Sequence, residues 1–143
     1  MKNLEGRIAL VTGSSSGIGA AIAEELADQG ADVIINGRRK NLVSEKMLEI
    51  QEKYKVRAYP FVADATKDEE INLAFLGLFP HRLNHIDILV NNVGGVEKFG
   101  NLFDLTDYDW FRSYDLNFMS AVRFSRHTIQ WLRQSKFPRV INI

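Results

Sequence analysis

Apolar residues in this chain fall in short unbroken runs, and these runs are separated by longer stretches with helical spacing. The first run, IALV within 7–12, ends in a Gly-Ser loop. A short apolar run bounded by turn residues suits a strand buried on both faces. Over 17–29, Ile18, Ile22 and Leu26 recur every four residues with alanines between, which predicts an amphipathic helix ended by Gly30. DVIIN at 32–36 predicts a second strand. Residues 42–54 predict a charged helix with Met47 and Ile50 on its apolar side, and 57–62 a third strand. A helix is expected over 69–79, stopped by Pro80. IDILVN at 86–91 predicts a fourth strand, 108–135 one long helix, and FPRVINI at 137–143 the beginning of a fifth strand.

Strands that alternate with helices imply parallel pairing through right-handed crossovers. Continuous apolar strands, rather than alternating ones, mean that helices cover both faces of the sheet. The expected fold is therefore α/β: a Rossmann-like doubly wound parallel sheet, with strand order 3-2-1-4-5 and one domain over 1–143. Ligands bind such sheets beyond the carboxyl ends of the strands, so the loops at 12–19, 36–40, 63–66 and 92–106 carry the chemistry.

Composition narrows the function without naming it. The chain has 143 residues, 45% hydrophobic and 25% charged, a balance that suits one globular domain. Lys plus Arg equal Asp plus Glu at 18 each, which argues against nucleic acid or a membrane surface as a partner held by bulk charge. No apolar segment approaches the ~20 residues of a membrane span. With no cysteine there is no disulfide, thiolate metal site or thiol nucleophile, and a cytoplasmic location fits. His81, His85 and His127 lack metal-ligand spacing, so no metal is expected. Phe99, Phe103, Trp110 and Phe111 border a substrate pocket or serve loop and helix packing; the sequence does not separate the two.

The first loop reads Thr12-Gly13-Ser14-Ser15-Ser16-Gly17-Ile18-Gly19. It joins the first strand to the first helix. Glycine permits the tight turn, small residues let a phosphate approach the backbone, and the helix offers free N–H groups to a pyrophosphate. An ordinary Gly-rich turn is the bland alternative, and the placement between strand and helix favours binding. At the end of the second strand, NAD-preferring sites place a carboxylate on the ribose 2′-hydroxyl. Here the tip reads Asn36-Gly37-Arg38-Arg39-Lys40, with Gly37 at the acid position and three cations after it. Arg binds a phosphate through two parallel hydrogen bonds, so NADP(H) is expected over NAD, with Arg38 as main contact and Arg39 beside it. The alternative is a solvated basic start to the second helix.

The T-G-x-x-x-G-I-G spacing resembles the short-chain dehydrogenase/reductase family. Asn91-Asn92-Val93-Gly94 resembles that family's N-N-A-G turn, and EGRIALVTG and DLNFMSAVRFSR look like it too. The resemblance covers essentially the whole chain, nearest the 3-oxoacyl-carrier-protein reductase and sugar/alcohol dehydrogenase branch. It implies hydride transfer between NADP(H) and a small carbonyl or alcohol substrate. It further implies that Asp64 and Ala65 meet adenine, and that Asn91, Asn92 and Gly94 line the adenosine ribose and tie strands together. Asn117 would be the family's catalytic Asn, bending the long helix and holding a proton-passing water.

The family also uses a Ser, a Tyr and a Lys four residues after that Tyr. Residues four beyond Tyr54, Tyr59, Tyr108 and Tyr114 are Ala58, Ala63, Arg112 and Phe118. The resemblance therefore implies a domain truncated after the fifth strand, the cofactor-binding part of an enzyme whose catalytic Ser and YxxxK are absent. It also implies a homo-oligomer formed through the 108–135 helix. The alternative is an inactive nucleotide-binding fragment or pseudoenzyme. A methyltransferase of similar architecture is disfavoured, because its G-x-G-x-G loop and strand-two acid are both missing.

Overall fold

The computed structural model describes residues 2–143, and Met1 lies outside them. Five strands form one parallel sheet in the order β3-β2-β1-β4-β5: β1 (Ile8–Val11), β2 (Asp32–Gly37), β3 (Ala58–Val62), β4 (Ile88–Asn91) and β5 (Arg139–Asn142). Three helices connect the first four strands: α1 (Gly17–Asp28), α2 (Lys40–Tyr54) and α3 (Asp68–Leu78). The expected α/β architecture and strand order are both present.

The apolar runs sort by parity into two cores. Leu10, Ile34 and Leu89 pack with Phe61, Ile71, Phe75 and Phe124 on one face. Ala9, Val11, Val33, Ile35 and Val90 pack with Ala23, Ala27, Val43 and Ile50 on the other. Each strand residue thus has a buried destination whichever way it points, which is why β1, β2 and β4 show no polar alternation. Burying one such Leu, Ile or Phe stabilises the fold by about 1.5–3 kcal/mol. Phe61 and Phe75 also meet edge to face, with ring centroids 4.9 Å apart.

β5 departs from that pattern. It pairs only with β4, in register from Ile88↔Arg139 to Asn91↔Asn142, and all four of its residues are exposed. No helix among the described residues packs on the far side of β5, which leaves it as an exposed edge strand.

The expected single helix over 108–135 is three pieces: α4 (Asp107–Tyr114), a π-helical turn (Asp115–Met119) and α5 (Ser120–Leu132). The cause is local. The Asn117 side chain donates its Nδ2 to the Ser113 carbonyl at 2.8 Å, four residues back, where an α-helix would use the backbone N–H of residue 117. The helix widens by one residue there, and the Ser120 N–H reaches back to the Asp115 carbonyl. No helix among the described residues is long and apolar enough to cross a membrane.

Candidate functional site

The carboxyl ends of β1, β2, β3 and β4 converge on one cleft of about 450 Å³, inside the ~300–1,000 Å³ range of small-molecule sites. Its floor is the loop between β1 and α1. Gly13 and Gly17 there adopt φ of 64° and 60°, a left-handed conformation that glycine takes without a Cβ clash. Ser16 caps α1 but its side chain makes no cap hydrogen bond, so the first-turn N–H groups stay available to an anion. A Cβ at Gly19 would fall on the Gly13 carbonyl. That residue keeps the loop and the helix in contact.

Opposite the loop, the Thr12 hydroxyl accepts the N–H groups of Asn92 (2.8 Å) and Val93 (3.0 Å), while Asn92 Nδ2 donates to the Thr12 carbonyl at 3.0 Å. These three bonds lock the end of β4 to the end of β1 and set the width of the cleft between them.

The tip of β2 forms the third wall. A Cβ at Gly37 would stand 2.6 Å from the Ser15 hydroxyl oxygen, so the position that carries the acid in NAD sites would take a side chain only if the Ser15 and Val43 side chains gave way. Arg38 follows, with its side chain 76% exposed and its guanidinium 3.9 Å from Asp64. Asp64 closes the β3 end. Burial works against its charged form, but hydrogen bonds from the Thr66 N–H (2.9 Å) and hydroxyl (2.7 Å), with Arg38 and Lys67 nearby, outweigh it and hold the carboxyl below its ordinary range. Glu70 accepts the Asp64 N–H at 2.9 Å and fixes the loop from behind. Arg123 of α5 donates to the Ala65 carbonyl at 3.5 Å and pairs with Asp115 in the π-helical turn.

Of the residues singled out in the sequence, Gly13, Ser15, Ser16, Arg38, Arg39, Asp64, Ala65, Asn92 and Gly94 line this cleft together. Ser14, Gly17, Ile18, Gly19, Asn91 and Asn117 are not among its lining residues. Ser14 is fully buried and its hydroxyl donates to the Val11 carbonyl at 2.7 Å. The Ile18 side chain is exposed. Asn91 Nδ2 donates to Ser125 (3.2 Å) and Asn142 (2.9 Å), joining β4 to α5 and β5. Asn117 ties the loop after β4 to the π-helical turn: its Oδ1 accepts the Gly95 N–H at 2.8 Å and its Nδ2 donates to the Gly95 carbonyl at 2.9 Å.

The sequence reading missed Asn36, Thr66, Lys67, Glu97, Arg112 and Leu116, which also line the cleft. Asn36 carried a signal, because an amide inside an apolar strand must find buried partners. Glu97 and Arg112 carried none. They form a two-point ion pair at 2.9 and 2.8 Å across fifteen residues, a contact only the folded loop creates. That pair holds the Glu97 carboxyl below its ordinary range. Nearby, Lys98 and Thr106 together push Asp109 down to about 2, and Thr106 and Asp109 form the capping box of α4.

Of the four aromatic residues noted earlier, Phe99 and Trp110 line a second hollow of about 510 Å³ that shares Val96, Glu97 and Arg112 with the cleft. Phe103 and Phe111 are exposed. His85 lies 3.2 Å from Asp87, and His127 lies 2.9 Å from Asp68 and stacks on Phe75.

Comparison with known proteins agrees with this geometry. The chain is 43% identical over 142 residues to an uncharacterized oxidoreductase, YvaG, of Bacillus subtilis, covering 99% of this chain and 52% of that one. It is 33% identical over 140 residues to the 3-oxoacyl-[acyl-carrier-protein] reductase FabG of Aquifex aeolicus, covering 98% of this chain and 56% of that one. The chain spans about half the length of the curated relatives it matches. In structure it superposes on L-sorbose reductase from Gluconobacter frateurii, solved with NADPH and L-sorbose, with a TM-score of 0.91 at 30% identity, over 99% of this chain and 53% of that one. It also superposes on a 7α-hydroxysteroid dehydrogenase solved with NADH, with a TM-score of 0.87 at 28% identity, over 98% and 53%. The family model described as short chain dehydrogenase matches residues 7–143, and the chain belongs to that family.

Proposed function

We propose that this chain is the NADP(H)-binding part of an oxidoreductase that interconverts a small carbonyl compound and its alcohol. The observation that carries the reading is the β2 tip, where Gly37, packed against the Ser15 and Val43 side chains, stands in place of the acid and Arg38 follows it. NADPH supplies a hydride when bound. The chain's own residues bind and orient: the Gly13–Ser16 loop and the first turn of α1 take the pyrophosphate, Arg38 and Arg39 the 2′-phosphate, and Asp64 and Ala65 the adenine. Asn92 and Gly94 flank the adenosine ribose.

Asn117 is assigned to the active site of the full-length protein. Its amide is committed to Gly95 and Ser113, so its contribution here is to hold the loop after β4 and the widened helix at a fixed separation. None of the four tyrosines has a lysine four residues on, so no residue pair here lowers a phenol toward neutral pH as proton donor. The expected result for the pure 143-residue chain is NADPH binding, seen as a change in cofactor fluorescence, with no loss of NADPH absorbance when ketones are added. Sustained turnover of any ketone would overturn the division of labour proposed here.

We further propose that copies associate through the α4–α5 face. Tyr108, Phe111, Tyr114, Phe118 and Ile129 are exposed along it, and exposed apolar side chains favour association. Light scattering at micromolar concentration is expected to show oligomers, and a stable monomer would contradict this.

A further inference from the structure

Asn36 is a polar residue in an otherwise apolar strand, and it is 1% exposed. Its amide is spent on three backbone groups from two other strand ends. Oδ1 accepts the Gly13 N–H at 2.9 Å, and Nδ2 donates to the carbonyls of Phe61 at 3.1 Å and Ala63 at 3.2 Å. Its backbone joins the same junction: its N–H donates to the Ser14 hydroxyl at 2.9 Å, and its carbonyl accepts the Ser14 N–H at 2.8 Å.

We propose that Asn36 is a positioning residue that fixes the distance between the two halves of the dinucleotide site. Gly13 opens the phosphate loop, and Ala63 directly precedes Asp64 and Ala65 on the adenine side. One amide spans the junction between them. The chemistry admits few substitutes. Aspartate keeps an acceptor for Gly13 but turns a carboxylate toward two carbonyls. Leucine leaves one donor and two acceptors buried without partners, and serine is too short to reach both sides. Glycine permits the φ of 64° at position 13, and the hydrogen bond from its N–H to Asn36 on β2 fixes the orientation of that peptide.

The inference rests on the NADP(H) reading of the cleft, and its test separates the two. NADPH needs both walls at the right spacing, whereas adenosine 2′-monophosphate has no pyrophosphate and needs only the Arg38 and Asp64 side. Both ligands are titrated against the wild-type chain, Asn36→Ser and Asn36→Asp. Asn36→Ser is expected to weaken NADPH about tenfold or more, the effect of stranding buried hydrogen-bonding groups, while adenosine 2′-monophosphate changes by less than about threefold. Asn36→Asp is expected to show the same split, with NADPH affinity relative to wild type recovering as pH falls and the neutral acid regains an O–H donor. A purely structural role would weaken both ligands alike. Equal losses for the two ligands overturn the proposal, as does loss of the folded state by circular dichroism in both variants. If the wild-type chain binds neither ligand, the NADP(H) reading itself falls.

Discussion

Gly19→Ala is expected to abolish detectable NADPH binding, a loss of about a hundredfold or more. A Cβ at this position would occupy the same space as the Gly13 carbonyl, with the Asn92 amide on its other side. Both neighbours are backbone or backbone-bound, since Asn92 is held by three bonds to Thr12 and the start of the loop. Neither can step aside without shifting the loop. Overpacking of this kind typically costs about 1–3 kcal/mol of stability, so most of the chain should stay folded at moderate temperature. The loop itself, displaced by part of an ångström, would lose the alignment of its N–H groups. Gly77→Ala is the matched control. It lies in α3 with nothing within 4 Å of a new Cβ, and replacing a helical glycine there should be neutral or stabilise by up to about 1 kcal/mol. Parallel NADPH titrations and thermal melts of the two variants check both halves. Tight NADPH binding by Gly19→Ala would mean the cofactor does not lie over this loop.

The second large effect is expected at Arg38. Replacing it with glutamate removes a guanidinium from the 2′-phosphate position and installs an acid next to Asp64, 3.9 Å from the group it replaces. A charge-assisted hydrogen bond is worth about 1.5–3 kcal/mol, which alone converts to roughly ten- to a hundredfold in affinity. Exposure of this side chain screens part of that, so the full effect belongs to low ionic strength. Arg38→Glu is expected to weaken NADPH by about a hundredfold in low salt while NADH is unchanged or improved, because a carboxylate accepts a ribose hydroxyl and repels a phosphate. Isothermal titration with both cofactors reads this directly. Equal losses for NADPH and NADH would show that Arg38 supports the loop rather than selects the phosphate. Lys67 and Arg39 also line the cleft and limit how far the preference can fall.

The sheet was legible because its physics is local to each strand. IALV, DVIIN and IDILVN are short, continuous and bounded by turn residues; β1 and β4 lie within them and β2 runs one residue beyond, to Gly37. The glycine loop was legible for a related reason, since a left-handed residue, a helix start and a missing side chain leave a spacing in the sequence. The features that escaped depend on contacts between distant residues. The bend at Asn117 was expected from the family resemblance, but its tie to Gly95 was not, since periodicity over 108–135 carries no trace of that residue. The Glu97–Arg112 pair depends on how the loop after β4 folds against α4. Ser14 was placed in the cofactor site by its position in the motif, yet its hydroxyl faces inward to Val11 and Asn36. A motif specifies which backbone conformation is needed; which side chains reach a ligand is decided by packing.

The proposed cofactor preference rests on the β2 tip, and its direct test is the affinity of the unmodified 143-residue chain for NADPH and for NADH, measured side by side in low salt. NADPH is expected to bind at least about tenfold more tightly, the least that one charge-assisted phosphate contact should contribute, and added salt is expected to narrow the gap. Equal affinities, a preference for NADH, or no binding of either cofactor would contradict it.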